Sequence, residues 1–291
     1  MRPVQRPDPN TKKPKLSAPP GGCDTHLHVY GPFDAYPLVA ERNYDPDPHS
    51  TLADYLKVHR ALGLERAVIV TGSANGTNNR TTMDALARMD GNFKGLALLD
   101  PAISDGELLR LKNGGITGFR VKANGKGGLS FADTQRISAR VADFAWHVEF
   151  LAQSTAEIIH AVPFLGSLNM LYVFDHVAHA EPDHNDDHEF RELLSVLKNE
   201  EHAWINLYSF YQLSKAGPPD YGDMVDVVQK IITAAAGRVV WGSNWPHAGI
   251  SVPMPNDGDL LDFLLAAAPD ERIRNSILAD NPAKLYGWAT S

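Results

Sequence analysis

Short apolar runs and longer amphipathic runs alternate along the chain. In eight places a β-branched or apolar stretch leads into a polar cluster, and a longer stretch with helical periodicity follows. Continuous apolar runs such as AVIVTG indicate strands that are buried on both faces, as in a parallel sheet. The eight strand segments lie at 21–30, 65–74, 93–102, 116–123, 147–153, 171–178, 203–210 and 238–247.

The helical patterns between these segments include 52–63, 81–89, 105–115 and 190–198. Eight strand–helix repeats predict an α/β chain folded as a single (β/α)₈ TIM barrel, because a doubly wound sheet would leave two strands over. The polar stretches 30–50 and 179–190 are expected to be long loops over the C-terminal mouth of the barrel. The domain prediction is a flexible, Pro- and Lys-rich N-terminal arm at 1–20 and a barrel at 21–291.

Composition narrows the class of partner. The formal net charge is −8, so nothing in the sequence indicates a nucleic-acid partner. No apolar run approaches the roughly 18 residues of a membrane span, so no membrane partner is expected. The single cysteine, Cys23, excludes an internal disulfide and favours a cytoplasmic location. A small-molecule substrate is therefore expected, and a homo-oligomer stays open.

Polar side chains gather where three of the predicted strands end. His26 and His28 follow strand 1 at a spacing that places both on one side of an extended chain. His176 follows strand 6, and Asn244 follows strand 8 with His247 close behind. In a barrel these ends meet at one rim, which is where active sites lie. An His-x-His pair alone is as typical of packing as of catalysis, and an amide cannot deprotonate water.

Several motifs together point to one family. They are DTHLH on strand 1, FDH on strand 6, WGSNWPH on strand 8, VIVTGSANGTNN, LLDPA, GFR and, near the C-terminus, DNPAKLY. This combination resembles the amidohydrolase superfamily, and within it the branch that contains 2-pyrone-4,6-dicarboxylate lactonase. The resemblance covers nearly the whole chain after residue 20.

The resemblance also bears on metal binding. Metal-dependent members of the superfamily carry a lysine or histidine on strand 5 and an aspartate on strand 8. This chain has Leu151, Ala152 and Gln153 where strand 5 ends, and Asn244 on strand 8. Three imidazoles could in principle hold zinc. Because the lactonase branch resembles metal-independent enzymes, we expect neither a metal nor another cofactor.

Resemblance to the lactonase implies that a strand-8 aspartate activates water, and here that residue is Asn244. Loss of a general base costs water attack about 10²–10⁴-fold. A hydroxyl of the substrate can have an effective molarity of about 10⁵–10⁸ M. We therefore predict a lactone isomerase of sugar-acid catabolism. The pattern is most similar to galactarolactone isomerases, which implies conversion between the 1,5- and 1,4-lactones of galactaric acid.

Two alternatives stay open. One is a lactone hydrolase in which Asn244 is tolerated or is an inactivating change from aspartate. The other is a ligand-binding protein without catalytic activity. Restoring aspartate at position 244 would separate the isomerase from the hydrolase, because a latent hydrolase should regain a large hydrolytic turnover.

The resemblance implies the following roles. His26, His28 and His176 would surround the reacting carbonyl, as oxyanion donors or proton relays, and Asn244 would orient the lactone. Carboxylate recognition is expected from strand 4 and its loop, and further substrate contacts from two other loops and strand 8. Asp24 and Asp175 are expected to be structural, because strand alternation points them away from their neighbouring histidines. The predicted substrate-binding residues are Arg120, Lys122, Lys126, Tyr44, Ser73, Asn75, Thr77 and His247.

Overall fold

Eight parallel strands surround a common axis in this computed structural model, which describes residues 4–123, 129–235 and 237–289. The strands are neighbours in chain order, which confirms the predicted TIM barrel. The strands are β1 (Cys23–Leu27), β2 (Arg66–Val70), β3 (Phe93–Ala97), β4 (Ile116–Lys122), β5 (His147–Leu151), β6 (Tyr172–Phe174), β7 (Ala203–Leu207) and β8 (Val239–Trp241).

The helices follow the strands around the outside of the barrel. Hydroxyl side chains begin several of them: Ser104, Ser130 and Ser154 each accept a backbone N–H from the residue three positions on. The helices are α1 (Leu52–Leu62), α2 (Arg80–Leu86), α3 (Asp105–Asn113), α4 (Phe131–Arg140), α5 (Thr155–Ser167), α6 (His188–Asn199), α7 (Val225–Ala235), α8 (Asp257–Ala267), α9 (Glu271–Asn275) and α10 (Asn281–Tyr286). No helix in the described ranges is both long and apolar enough to cross a membrane.

The first and last strands meet at the mouth of the barrel. The backbone N–H of Asn244 donates to the carbonyl of His26 at 2.8 Å, and that of His28 donates to the carbonyl of Trp245 at 2.8 Å. Gly242 permits this approach, because a Cβ there would lie 2.7–3.1 Å from backbone and side-chain atoms of His26. The end of β8 is therefore fixed directly against the end of β1.

The predicted N-terminal arm contains no helix or strand between residues 4 and 20, and it runs along the start of α8. The N–H of Lys12 donates to Asn256 Oδ1 at 2.9 Å, and its ammonium group lies 2.6 Å from Asp259. The N–H of Leu16 donates to Asp262 at 2.9 Å, and the Leu16 side chain is buried. These contacts join the arm to the same helix that carries Asp257.

Candidate active site

The centre of the barrel mouth holds a buried histidine–carboxylate pair. His26 Nδ1 lies 3.1 Å from Glu149 Oε1, and both side chains are fully buried. His26 Nε2 has no hydrogen-bond partner among the described residues. The ring of Tyr208 stacks on His26 with centroids 3.8 Å apart and planes 18° apart, which fixes the imidazole plane. Because a carboxylate accepts the Nδ1 proton, the free Nε2 is left as a hydrogen-bond acceptor.

Arg120 joins this pair to a second carboxyl group. Its guanidinium donates from Nε to Asp175 Oδ2 at 2.8 Å and from Nη2 to Tyr208 at 2.9 Å. Arg120 Nε also lies 3.8 Å from Glu149 Oε2. Arg120 is predicted from the sequence to bind a substrate carboxylate, and Asp175 to be a structural carboxylate that points away from its neighbouring histidine. In the structure the two form a buried ion pair beside His26, so most of the guanidinium is committed to the protein.

The buried carboxyl groups have perturbed proton affinities. Burial raises the pKa of Glu149 from 4.5 to about 7, although the nearby Arg120 charge opposes the change. Burial likewise raises the pKa of Asp175 from 3.8 to about 6, with Arg120 lowering it and Glu149 raising it. Both carboxyl groups, Glu149 and Asp175, can therefore gain or lose a proton near pH 7, which is typical of a catalytic centre.

The three predicted catalytic histidines differ in what they can donate. Burial, reinforced by Arg120, holds the pKa of His26, His28 and His176 well below the usual range, so all three are neutral. His28 Nδ1 lies 2.8 Å from the carbonyl of Val70 and must donate to it, which leaves Nε2 as an acceptor. His176 is half-buried, and no side-chain hydrogen bond fixes its tautomer within the described residues. Of the three, His176 is the one free to donate an N–H to an oxyanion.

A left-handed turn presents His176 to the site. Residues His176, Val177, Ala178 and His179 all have φ between 53° and 55°. Each non-glycine residue in this conformation costs about 1–2 kcal/mol. The turn is stabilised by hydrogen bonds from the N–H of Ala178 to Asp175 at 2.8 Å and from Thr155 Oγ1 to the carbonyl of Ala178 at 2.9 Å. Such strain is typical of functional segments, and here it directs His176 onto the edge of the Tyr208 ring.

Asn244 lies at the β8 end of the site in the left-handed region, with φ of 62°. Its Nδ2 donates to Ser209 Oγ and to Tyr211 Oη, each at 2.9 Å. His247 was expected to bind substrate, but its side chain is completely buried. Its Nδ1 lies 2.9 Å from Tyr211 Oη and its Nε2 lies 3.1 Å from Asp257. Both ring nitrogens of His247 are thus used within the protein, so the structure does not offer this residue to a ligand.

The other predicted substrate contacts are distributed unevenly. Tyr44, from the long loop after β1, lies with its hydroxyl 2.8 Å from that of Tyr30. In the turn after β2, Ser73 is half-buried and Thr77 is exposed, whereas Asn75 is buried and its Oδ1 has no partner in the part of the chain that the structure describes. This turn therefore brings Asn75, and not Thr77, toward the interior.

Strand 4 and the loop after it contain two further cations that are predicted to bind substrate, Lys122 and Lys126. Lys122, at the end of β4, is half-buried next to Arg120 and forms no ion pair with any described residue. Burial and the Arg120 charge lower the pKa of Lys122. Lys126 lies outside the described residues. Lys122 is therefore the described cation that remains available to an anionic substrate group.

Two residues at the centre were absent from the sequence predictions. Glu149 lies within the apolar strand HVEFL and pairs in register with Arg120 on β4. A carboxyl group in such a strand is costly to bury unless it is paired, so its presence was an available signal. Tyr208, which follows β7, carried no comparable signal. Asp24 agrees with its expected structural role, because it accepts hydrogen bonds from Ser243 and Tyr55.

One group of described residues has the donor set of a metal site. Ligand atoms of His26, Glu149 and Asp175 lie within 4.8 Å of one another, whereas His28 and His176 do not join them. The Arg120 guanidinium, however, already supplies the cation at this place, 2.7 Å from Asp175. A divalent ion would face that fixed positive charge, and Arg120 cannot lose its proton. The residues present do not fit a metal ion.

With this geometry in place, the comparisons with known proteins identify the family. The amidohydrolase family model matches residues 23–288. The chain belongs to the amidohydrolase family. A 4-sulfomuconolactone hydrolase from Hydrogenophaga intermedia is 35% identical over 276 residues, with 92% of this chain and 89% of the relative covered. A 2-pyrone-4,6-dicarboxylate hydrolase from Comamonas testosteroni is 31% identical, with 95% and 93% covered.

The isomerase that the sequence motifs suggested is a more distant relative. The D-galactarolactone isomerase of Agrobacterium fabrum is 26% identical, with 94% of this chain and 93% of the relative covered. An apo crystal structure from Agrobacterium tumefaciens superimposes with a TM-score of 0.82 at 26% identity, covering 96% of this chain and all of that one. The predicted family and its lactone-processing branch are confirmed. The relatives named as hydrolases are more similar to this chain than the relative named as an isomerase.

Proposed function

We propose that this amidohydrolase hydrolyses a lactone, with His26 as the general base and Glu149 as the group that orients it. The observation that carries the proposal is the buried pair itself: Glu149 lies against Nδ1, and Nε2 is unpaired. If His26 on β1 is the base, with Glu149 on β5 behind it, an amide at position 244 no longer argues against water attack. The names of the more similar relatives also support hydrolysis.

The reaction would run in two proton-balanced steps. His26 Nε2 accepts a proton as water oxygen bonds to the lactone carbonyl carbon. When the bond from that carbon to the ring oxygen breaks, the imidazolium returns the proton to the ring oxygen, and a hydroxy acid forms. His176 can donate an N–H to the developing oxyanion. Lys122 would hold an anionic group of the substrate.

The substrate follows from the same features. With Arg120 committed to Asp175, the described cation left for the substrate is Lys122. A lactone that carries one anionic group close to the ring is therefore favoured. The printed names of the relatives suggest which compounds to test first, namely 4-sulfomuconolactone and 2-pyrone-4,6-dicarboxylate.

Isomerisation remains the second candidate, because Asn244 offers an amide where the lactonase resemblance implies an aspartate. Incubation of galactarolactone and of the two candidate lactones in H₂¹⁸O separates the reactions. A hydrolase yields a ring-opened acid that contains one ¹⁸O atom, whereas an isomerase yields a lactone of different ring size without label. Isomerised galactarolactone together with no ring opening of any lactone would refute hydrolysis. Catalytic-scale release of labelled acid would support it.

The variant Asn244→Asp adds a second criterion. If His26 is the base, adding a carboxyl group at this position should change the hydrolytic kcat/KM by less than about tenfold. If the wild type is an isomerase, the variant should begin to release hydrolysed product that the wild type does not form. Mass spectrometry of the products measures both outcomes.

A further inference from the structure

A chain of buried hydrogen bonds leads from Asn244 to the start of α8. Asn244 Nδ2 lies 2.9 Å from Tyr211 Oη, Tyr211 Oη lies 2.9 Å from His247 Nδ1, and His247 Nε2 lies 3.1 Å from Asp257 Oδ1. Tyr211, His247 and Asp257 are each at most 2% exposed, so water does not compete for these bonds. The mechanism above uses none of these three residues.

Asp257, at the end of this series of hydrogen bonds, determines which group donates in each of them. Asp257 Oδ1 accepts from His247, so the ring donates from Nε2, and in the tautomer with its single proton there Nδ1 is an acceptor. Tyr211 must then donate its hydroxyl proton to His247 Nδ1. With that proton used, Tyr211 Oη can only accept from Asn244, so the nitrogen of the amide faces Tyr211.

These hydrogen-bond directions leave one atom of the Asn244 side-chain amide, Oδ1, available to the pocket. Both protons of Asn244 Nδ2 are used, one by Tyr211 and one by Ser209. Asn244 Oδ1 accepts from no described residue, and it is not among the fully buried polar atoms that lack a partner. The backbone N–H of Asn244 donates to the carbonyl of His26 at 2.8 Å, which keeps the two residues adjacent.

We infer that Tyr211, His247 and Asp257 are positioning residues that hold Asn244 with its carbonyl oxygen, and not its nitrogen, toward the substrate. This inference deepens the proposed hydrolysis and rests on it. A water molecule has two protons, and the site then offers two acceptors for them: His26 Nε2 takes the proton that is transferred, and Asn244 Oδ1 holds the other. A substrate hydroxyl has a single proton and cannot use both acceptors, so the arrangement favours water as the nucleophile.

The first test reads the direction of the chain without any substrate. In the full-length protein labelled with ¹⁵N-histidine, long-range ¹H–¹⁵N correlation spectra distinguish a ring protonated at Nε2 from one protonated at Nδ1. We expect the His247 signals, assigned by their loss in His247→Gln, to report the neutral tautomer with the proton on Nε2. A neutral ring protonated at Nδ1, or a ring protonated at both nitrogens, would reverse the donor of the Tyr211 bond and overturn the inference.

The second test separates positioning from binding. Tyr211→Phe removes the hydroxyl that Asn244 and His247 share, and we expect kcat to fall about 10²-fold while KM changes less than threefold. Tyr221→Phe is the matched control, because Tyr221 is equally buried against Phe210 but lies outside the chain. Equal kcat values for Tyr211→Phe and wild type would overturn the inference. If the wild type opened no lactone, the proposed hydrolysis would fail, whereas the His247 tautomer would still decide the orientation of Asn244.

Discussion

Replacing Glu149 with glutamine tests the catalytic pair most directly, because the change keeps the shape of the side chain and removes its charge. Glu149 Oε2 lies 3.8 Å from Arg120 Nε, and Oε1 lies 3.1 Å from His26 Nδ1. In Glu149→Gln the amide oxygen should turn toward the Arg120 donor, and the amide NH₂ should turn toward His26. An N–H that points at Nδ1 stabilises the tautomer whose proton is on Nε2, and that tautomer cannot accept a proton from water.

The expected loss follows from the role of the base. General-base assistance contributes about 10²–10⁴-fold, so kcat/KM for lactone hydrolysis should fall by that factor, equivalent to about 3–5 kcal/mol of transition-state stabilisation. KM should change little, because Glu149 is fully buried and in the proposed mechanism acts on the substrate only through His26. Initial rates of ring opening at several pH values, followed by ultraviolet absorbance or NMR, provide the measurement.

The control is Glu157→Gln, which makes the same chemical change at the start of α5, where Glu157 caps the N–H of Gln153 at 2.8 Å. That variant should retain wild-type kcat/KM. If Glu149→Gln were to hydrolyse the substrate within threefold of the wild-type rate while remaining folded, His26 would not depend on Glu149, and the proposed base would be wrong.

Three further outcomes concern stability. Because burial raises the pKa of Glu149 from 4.5 to about 7, its bound proton stabilises the folded state below pH 4.5, and this stabilisation is lost as the pH rises through 7. Denaturant unfolding should therefore show the wild type losing up to about 3 kcal/mol relative to Glu149→Gln between pH 4.5 and 8, and a constant difference would contradict the assigned pKa. Ala178→Gly relieves the left-handed strain at φ of 55°, whereas Ala180→Gly removes a buried methyl group at an unstrained φ of −72°. The Ala178→Gly protein should therefore be about 1–2 kcal/mol more stable to unfolding than the Ala180→Gly protein. Equal unfolding free energies would argue against strain in the turn. Arg120→Lys should lower the free energy of unfolding by about 3 kcal/mol, because the buried ion pair with Asp175 loses its geometry. Arg110→Lys, in an exposed ion pair, should lower it by less than about 0.5 kcal/mol. Similar losses for both variants would show that the buried ion pair contributes no more to stability than the exposed one.

The barrel could be predicted from the sequence because its signal is repeated. The strands are largely buried on both faces, so most of them read as mainly apolar runs, such as RAVIV in β2, and eight strand segments alternate with helices. Polar residues at or just after the ends of strands could also be predicted, since the ends of parallel strands share one rim. His26, His28, His176 and Asn244 belong to this class, and the structure brings His26 and Asn244 into direct backbone contact.

The rest of the site depends on side-chain directions that a linear pattern does not contain. Glu149 lies two residues before the end of β5 and reaches inward to His26, so attention to strand ends alone missed it. His247 lies in the same WGSNWPH motif as Asn244. Its left-handed backbone, with φ of 60°, directs the side chain toward Asp257 on α8 and away from the pocket. The lactonase resemblance predicted that Arg120 binds a substrate carboxylate, and the linear pattern did not reveal Asp175 as its internal partner.

The amide at position 244 is compatible with hydrolysis because a carboxyl group is already present at position 149. The centre already holds two carboxyl groups, with pKa values of about 7 and 6, against one guanidinium. A third carboxyl group on β8 would meet this negative charge, and Tyr211 and Ser209 would both have to donate to it. Tyr211 could then no longer donate to His247 Nδ1. An amide avoids the added charge and keeps the hydrogen-bond chain to Asp257 intact, provided that the base lies elsewhere. In the proposed hydrolysis that base is His26, which Glu149 orients from β5.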